Sequence, residues 1–205
     1  SLCEQCHRNE AASKHSNGHP LHVTSLDLPD KLFSSGAERA TSKNEVICQS
    51  CHKVHGAKGE KILLVSNKNS ELCVICHEKQ GSIIDTKHDL RTTFPEAKNI
   101  KQQTVSESGP CSSCHTPHNA AGKKLWALEL DKGNPATQMC MTCHGEQITA
   151  KIKHTGKYSH PINVELPSKE MPPADLPLFS EEGVKAPDGK VQCFTCHNVH
   201  RWDPE

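Results

Sequence analysis

Apolar positions along this chain come in short clusters, and no helical or strand period is sustained. The longest aliphatic run is Ile62-Leu63-Leu64-Val65, and a counterpart, Leu125-Trp126-Ala127-Leu128, follows one repeat later. Each cluster lies between two copies of C-x-x-C-H. Positions i, i+3 and i+4 share one face of a helical turn, so each copy predicts a short helix that turns two thiols and an imidazole to one side. The punctuation agrees. Asn134-Pro135 ahead of Met139-Cys140 reads as an N-cap with proline at the first helical position, and Gly145 follows His144. Ser70-Glu71 ahead of Cys73, with Gly81 beyond, repeats the arrangement. Between copies the chain is rich in Pro, Gly, Ser and Asn, notably from Met171 to Gly189, which predicts loops and isolated turns. The expected fold is mostly irregular, with a few short α-helices and little or no sheet. No run approaches the ~20 apolar residues of a membrane span.

All twelve cysteines fall into six units: Cys3/Cys6/His7, Cys48/Cys51/His52, Cys73/Cys76/His77, Cys111/Cys114/His115, Cys140/Cys143/His144 and Cys193/Cys196/His197. Zinc ribbons, disulfides and thioredoxin-like redox sites also use C-x-x-C. None of them requires histidine directly after every second cysteine, and here it stands there in all six units with no cysteine left over. The spacing is the c-type haem attachment signature, in which two thiols reach the vinyl groups of one porphyrin and the histidine reaches its iron. Six haem c groups are expected.

Composition then becomes intelligible. Only 34% of residues are hydrophobic, cysteines included, and aromatics make up 3%. Such a chain alone leans towards disorder. About 34 residues per haem (205 residues over six units) means that cofactor replaces core, and the haem-free chain is expected to be unfolded. The 24 basic and 24 acidic side chains balance, so nucleic acid is not an implied partner. Two propionates per haem would make the loaded protein acidic.

Fifteen histidines less six in the units leaves nine. A six-coordinate iron needs a second axial ligand. His55, His118 and His200 stand three residues past a unit's own histidine, point away from its haem, and are expected to serve a neighbouring one. His19, His88 and His160 occupy matching places ahead of a pair of units. His15, His22 and His154 are left over, as solvated side chains or propionate partners, although His15 could replace His19 and His154 could replace His160.

The order along the chain is a half repeat at 1–16, full repeats at 17–81 and 82–150, and a half repeat at 151–205, all in one haem-threaded unit. C-S-S-C-H-T-P-H at Cys111 to His118, followed by L-W-A-L and M-C-M-T-C-H at Cys140 to His144, resembles the doubled C-x-x-C-H domain of multihaem c-type cytochromes. The copy from Cys48 to His77 matches it except that Val54 replaces proline. The resemblance implies bis-histidine haems in closely packed pairs, no catalytic residue, and electron transfer outside the cytoplasmic membrane, in the periplasm or beyond, after removal of a leader. Its partners would be other redox proteins or an extracellular acceptor. The half repeats at the two ends suit a head-to-tail homopolymer similar to extracellular cytochrome nanowires. A soluble periplasmic shuttle, a fragment of a larger cytochrome, and a multihaem reductase with one open haem are the alternatives.

Overall fold

The computed structural model describes residues 2–10, 17–23, 27–40, 45–130, 134–145, 150, 157–167, 173 and 175–201. Among them are seven short α-helices: α1 Leu2–Cys6, α2 Asp30–Ser34, α3 Glu71–Cys76, α4 Leu90–Thr93, α5 Val105–Ser112, α6 Pro135–His144 and α7 Cys193–Cys196. Short 3-10 segments occur at Cys48–Ser50, Glu60–Ile62, Glu78–Ile83 and Lys123–Leu125. Strand pairing among the described residues is limited to isolated bridges. The fold is mostly irregular, as expected from a chain without a sustained hydrophobic period.

The chain divides into two compact units. The first comprises Ser1–Ala127 with Val199–Glu205, and the second Leu128–Asn198. In the first unit the buried apolar cluster is Leu28, Leu32, Val46, Leu64 and Ile75, flanked by Leu21, Phe33 and Leu72. That is a small core for its length. In the second unit Met139 and Ala136 of α6 are buried, as are Leu178 and Phe179. Phe179 meets Phe194 of α7 edge-on, with ring centres 5.8 Å apart.

Polar contacts hold consecutive C-x-x-C-H units together where apolar mass is short. Ser70 ends the approach to α3 in the left-handed region (φ 62°) and caps no helix with its side chain. Its Oγ accepts instead from the backbone N–H of Cys111, at 2.9 Å. Ser70 is therefore a tie between two units rather than the helix cap its position suggests, and Gly81 lies within the Glu78–Ile83 turn, not at the end of α3. Gly109 makes the tie possible. It sits at φ +80°, and a Cβ there would lie 2.6 Å from the Asn67 carbonyl. In the second unit, buried Gln192 accepts from Thr137 Oγ1 at 3.0 Å and donates to Asn163 Oδ1 at 3.3 Å. That joins the residues leading into Cys140 and Cys193. Asn134 caps α6 as its sequence suggests, accepting from the N–H groups of Ala136 and Thr137. Gly145 ends the helix in extended backbone, φ −70°, a conformation open to any residue.

The expectation of a short helix through every unit needs correcting at two of them. Cys114 lies beyond the end of α5, which stops at Ser112, and Cys51 lies beyond the 3-10 turn Cys48–Ser50. The reason is competition for a carbonyl. Cys114 O accepts from the N–H of Ala127 at 2.9 Å, and Cys51 O from that of Leu64 at 3.0 Å. A helix continuing past either cysteine would need that same oxygen for the residue four places on. The apolar tetrads thus end these two helical turns, and Cys114 and Cys51 sit at the point where the chain is caught.

Asp89 is the most buried carboxylate described, with no exposed surface. It accepts from Arg91 Nε at 2.9 Å and from the backbone N–H groups of Asp85 and Arg91. Arg91 in turn donates to Asn69 Oδ1 at 2.9 Å, which ties the His88 loop to the approach to α3. The Arg91 hydrogen bonds hold the Asp89 carboxyl below its ordinary value despite burial. A depressed folded pKa contributes stability that is complete above the unfolded value of ~3.9 and is lost as pH falls through the folded one. Asp89→Ala should therefore destabilise the loaded protein by about 2–3 kcal/mol at neutral pH. It should also flatten the acid limb of a thermal-melting-versus-pH series below about pH 4; an unchanged acid limb would show that Asp89 is not the linked group.

Candidate haem-ligand sites

A bond from the histidine N–H back to the first cysteine's carbonyl closes one turn in five units, at 2.8–3.0 Å (His7, His52, His77, His115 and His197). The turn therefore survives at His52 and His115, where the helical segments end at Ser50, directly before Cys51, and at Ser112, two residues before Cys114. The remaining unit, Cys140 to His144, lies inside α6. None of the twelve cysteines is in a disulfide, and no three His, Cys, Asp or Glu among the described residues converge on a metal ion.

Sulfurs of successive units lie close together. Cys73 is pushed up and Cys111 pulled down, first by the hydrogen-bonding interaction of the two side chains, and the Cys73 thiol also lies 3.6 Å from Asn67 Oδ1. Cys140 and Cys193 form a second such pair, shifted in the same two directions for the same reason. Burial, with the charges of Cys76 and Cys48, raises Cys51 to about 11. Burial alone raises Cys76 and Cys143. Cys114 is set differently from its partner Cys111. It is half-buried, and its Sγ lies 3.8 Å from the Ser113 hydroxyl, whose closer acceptor is the Pro110 carbonyl at 2.7 Å. So the first cysteine of that unit faces a neighbouring unit's sulfur, while the second lies beside its own unit's serine. The edges of adjacent units meet through the first-cysteine sulfurs.

The imidazoles are arranged in opposed pairs. His52 faces His118 with ring centres 6.1 Å apart and planes at 26°. His115 faces His200 at 6.0 Å and 24°. His77 faces His19 at 6.3 Å and 66°. In each pair one ring belongs to a C-x-x-C-H unit and the other lies outside that unit. A metal ~2.0–2.1 Å from a nitrogen on each of two opposed rings puts their centres roughly 6.3 Å apart. The three pairs fit an iron between the rings.

Tautomers fit as well. His52 Nδ1 lies 3.2 Å from the Lys61 carbonyl and His115 Nδ1 2.8 Å from the Lys124 carbonyl. His118 Nδ1 lies 3.1 Å from the Glu10 carbonyl, and His19 Nδ1 3.2 Å from that of Pro20. A carbonyl only accepts, so Nδ1 must carry the proton and Nε2 is left with a lone pair, as metal-binding imidazoles require. Burial also favours the neutral form, holding His77, His115, His118 and His200 below the usual histidine range.

The carbonyls of Lys61 and Lys124 come from one device built twice. The chain after each first unit turns back through two consecutive left-handed residues, Lys61-Ile62 (φ 56° and 56°) and Lys124-Leu125 (φ 57° and 60°). The returning strand then bridges His52 to Leu63 and His115 to Trp126. Lys53 N–H donates to Ile62 O and Thr116 N–H to Leu125 O, both at 2.8 Å. The apolar tetrads are therefore return turns whose third residue is buried, Leu64 and Ala127. Their repeated position was legible in the sequence; their role in presenting carbonyl acceptors to the imidazole Nδ1–H was not.

Two buried polar atoms beside His115, Thr116 Oγ1 and Trp126 Nε1, have no hydrogen-bond partner among the described residues. The Trp126 ring stands edge-on to His115 at 6.1 Å. Groups of this kind suit the carboxylates that a haem carries on its edge.

The other histidines are placed as follows. His88 is partly buried beside Asp89, while His55 and His160 are exposed. His160 Nδ1 lies 2.7 Å from the Pro161 carbonyl, the arrangement already seen at His19-Pro20. His7 and His197 are exposed and His144 partly buried. His22 lies between two carboxylates, 3.7 Å from Glu4 and 3.5 Å from Glu45. His15 and His154 lie outside the described residues.

The family described as the doubled CXXCH motif matches residues 40–82 and 104–149 of this chain. Over 109 residues the chain is 31% identical to the multiheme cytochrome MtrA of Shewanella baltica (strain OS185), a stretch covering 53% of this chain and 27% of that protein. The match thus spans about a quarter of the relative's length. No solved structure matches. Among the described residues no helix is long and apolar enough to cross a membrane.

Ile62 is β-branched, about half exposed, and held at a left-handed φ that such side chains rarely adopt. Asparagine tolerates that region. Ile62→Asn should raise the stability of the loaded protein by about 1 kcal/mol, read as a higher melting temperature with an unchanged haem spectrum. A lower melting temperature would mean that the Ile62 side chain contributes more by packing than its backbone loses by strain.

Proposed function

We infer that this chain, a multihaem c-type cytochrome built on the doubled CXXCH motif, transfers electrons along six haems, each iron held between two histidines. One observation carries the reading: three C-x-x-C-H histidines lie opposite a histidine from outside their own unit at the spacing of a shared metal. The haem supplies a one-electron ferric/ferrous couple.

The residues divide the work. The twelve cysteines, Cys114 and Cys51 included, fix each porphyrin edge. His7, His52, His77, His115, His144 and His197 would each hold an iron through one ring nitrogen. His118, His200 and His19 provide the second for His52, His115 and His77 in turn, and His55, His88 and His160 are the remaining second ligands. The Nδ1 bonds to Lys61, Lys124, Glu10 and Pro20 carbonyls hold the rings in one tautomer and one rotation. That keeps the iron environment the same in both oxidation states. With both axial positions filled, no substrate position remains on such an iron, which favours conduction over catalysis. The close sulfurs of Cys73 with Cys111 and of Cys140 with Cys193 favour passage between successive haems.

The working compartment is the periplasm or the cell exterior, where cysteine-linked haem is assembled. The partners are other redox proteins or an extracellular acceptor, and copies of this chain joined head to tail.

Two measurements test this. The haem content, by pyridine haemochrome against amino-acid analysis, should be six per chain, and full reduction should take six electrons. Fewer than six would remove one or more units from the scheme. His118→Met should raise the midpoint potential of one haem by on the order of 100 mV, because the axial ligand is a main determinant of potential. The other haems should keep theirs in a spectroelectrochemical titration, and an unmoved titration would dismiss His118 as a ligand.

A further inference from the structure

Four hydrogen bonds join residues 117–121 to Glu10, Asn17 and His19. His19 N–H donates to the Pro117 carbonyl at 2.8 Å, and Ala120 N–H to the Asn17 carbonyl at 3.0 Å. Asn17 Nδ2 reaches the Ala121 carbonyl at 3.5 Å, and His118 Nδ1 lies 3.1 Å from the Glu10 carbonyl. The two backbone bonds link 19 to 117 and 17 to 120, so the segments pass in opposite directions in a fixed register. The sequence prepares this contact. Pro117 offers only a carbonyl. Asn119 sits at φ 51°, in the left-handed region that asparagine tolerates, and turns the chain so that the N–H of buried Ala120 meets Asn17.

Each side of this joint carries one of the opposed imidazoles, and the two face different C-x-x-C-H units. His118 lies opposite His52, with ring centres 6.1 Å apart, and His19 opposite His77, at 6.3 Å. His52 and His77 belong to successive units of one repeat. Pro117 immediately precedes His118, so the bond from His19 N–H to Pro117 O fixes one imidazole's backbone against the other's. The joint itself lies between the second repeat and the lead of the first. None of its bonds is made by the units whose histidines it faces. Segments held in register by a few shared backbone bonds open as one body.

We propose that residues 117–121, docked on Asn17 and His19, form one strap that seats the second ligands of two irons together, with Asn17, Pro117 and Ala120 as positioning residues for both. The proposal rests on the bis-histidine reading above. Loss of one imidazole leaves the backbone bonds of the strap in place and empties one axial position. Release of the strap withdraws both imidazoles, because His118 and His19 are held through the same two bonds. The irons at His52 and His77 are then six-coordinate together or open together. An electron reaching that repeat meets two irons in the same ligation state, which a pair of independently delivered ligands would not ensure.

The test counts high-spin haems in the ferric, haem-loaded chain by electron paramagnetic resonance. His118→Ala and His19→Ala should each give one per chain. Ala120→Pro removes the N–H that Asn17 accepts and drives Asn119 out of its turn; it should give two, although both imidazoles remain. Placed on the His19→Ala/His118→Ala double variant it should give no third, since the same two irons are concerned. Added imidazole should return the Ala120→Pro haems to low spin, which separates lost ligation from misfolding. Phe179→Leu, in the second unit, should lower the melting temperature and leave every haem low-spin; two high-spin haems there as well would mean general loosening and no strap. A second reading needs no substitution and decides alone if Ala120→Pro fails to retain haem. In the reduced protein, diamagnetic when each iron has two histidines, hydrogen exchange followed by NMR should give the His19 and Ala120 amides one protection factor, to within about twofold. Amides that open independently would overturn the strap. If His19→Ala and His118→Ala each leave every haem low-spin, the bis-histidine reading itself fails; if each gives one high-spin haem while Ala120→Pro gives one or none, only the strap fails.

Discussion

On the bis-histidine reading proposed above, each iron takes nitrogen on both faces, and a C-x-x-C-H unit can offer it on only one. The second nitrogen would then come from elsewhere in the chain. His118 lies 66 residues beyond His52 and His200 lies 85 beyond His115, so the backbone must run back across itself to bring them face to face. The loops between units are the paths that deliver those imidazoles. A chain so poor in regular secondary structure still brings three pairs of imidazoles face to face. Geometry at the ring nitrogens substitutes for the packing that helices and sheets would otherwise supply.

The small core is the other side of the same constraint. Five residues, Leu28, Leu32, Val46, Leu64 and Ile75, form the buried apolar cluster of the first unit. Transfer of their side chains stabilises by about 1.5–3 kcal/mol each, too little against the ordering of well over a hundred residues. Polar ties such as Ser70 to Cys111 and Gln192 to Thr137 position the units but contribute only about 1 kcal/mol each. The bulk of the stabilisation must come from the porphyrins, whose covalent links also remove freedom from the unfolded chain.

How much of this was readable in advance depended on whether the signal was local. The six units, the Asn134-Pro135 start of α6 and the near absence of sheet follow from spacing and composition within a few residues. The candidate second ligands could be nominated because His55, His118 and His200 sit at a fixed offset. Which imidazole faces which could not be read, since that depends on loop paths of tens of residues with no periodicity. Ser70 shows the limit well. Its position says N-cap, yet a tertiary donor, the Cys111 N–H, competes for the same oxygen and takes it. Cys114 shows it again: i, i+3 spacing says helix, but the Ala127 N–H claims the carbonyl that a further turn would use. The Lys61 and Lys124 carbonyls were invisible for another reason: two non-glycine residues in a row at positive φ are something no propensity rule would assign to Lys-Ile or Lys-Leu.

The two full repeats share a backbone and differ in what lines it. Matching hydrogen bonds, bridges and left-handed turns surround His52 and His115. Yet where the first repeat has Lys53 and Leu63, the second has Thr116 and Trp126, whose buried Oγ1 and Nε1 find no acceptor among the described residues. A buried donor left unpaired costs about 1–3 kcal/mol, so these two are tolerable only if something at that site accepts from them. A haem edge bearing carboxylates beside His115 would do so, and drawing its negative charge into hydrogen bonds would ease reduction of that iron relative to the one beside His52. On the proposed reading, duplication would fix where the irons lie, while substitution at positions such as 116 and 126 would set how readily each accepts an electron. A conductor needs both, a constant spacing and a graded series of potentials, and a repeat whose frame is backbone and whose tuning is side chain can change one without disturbing the other.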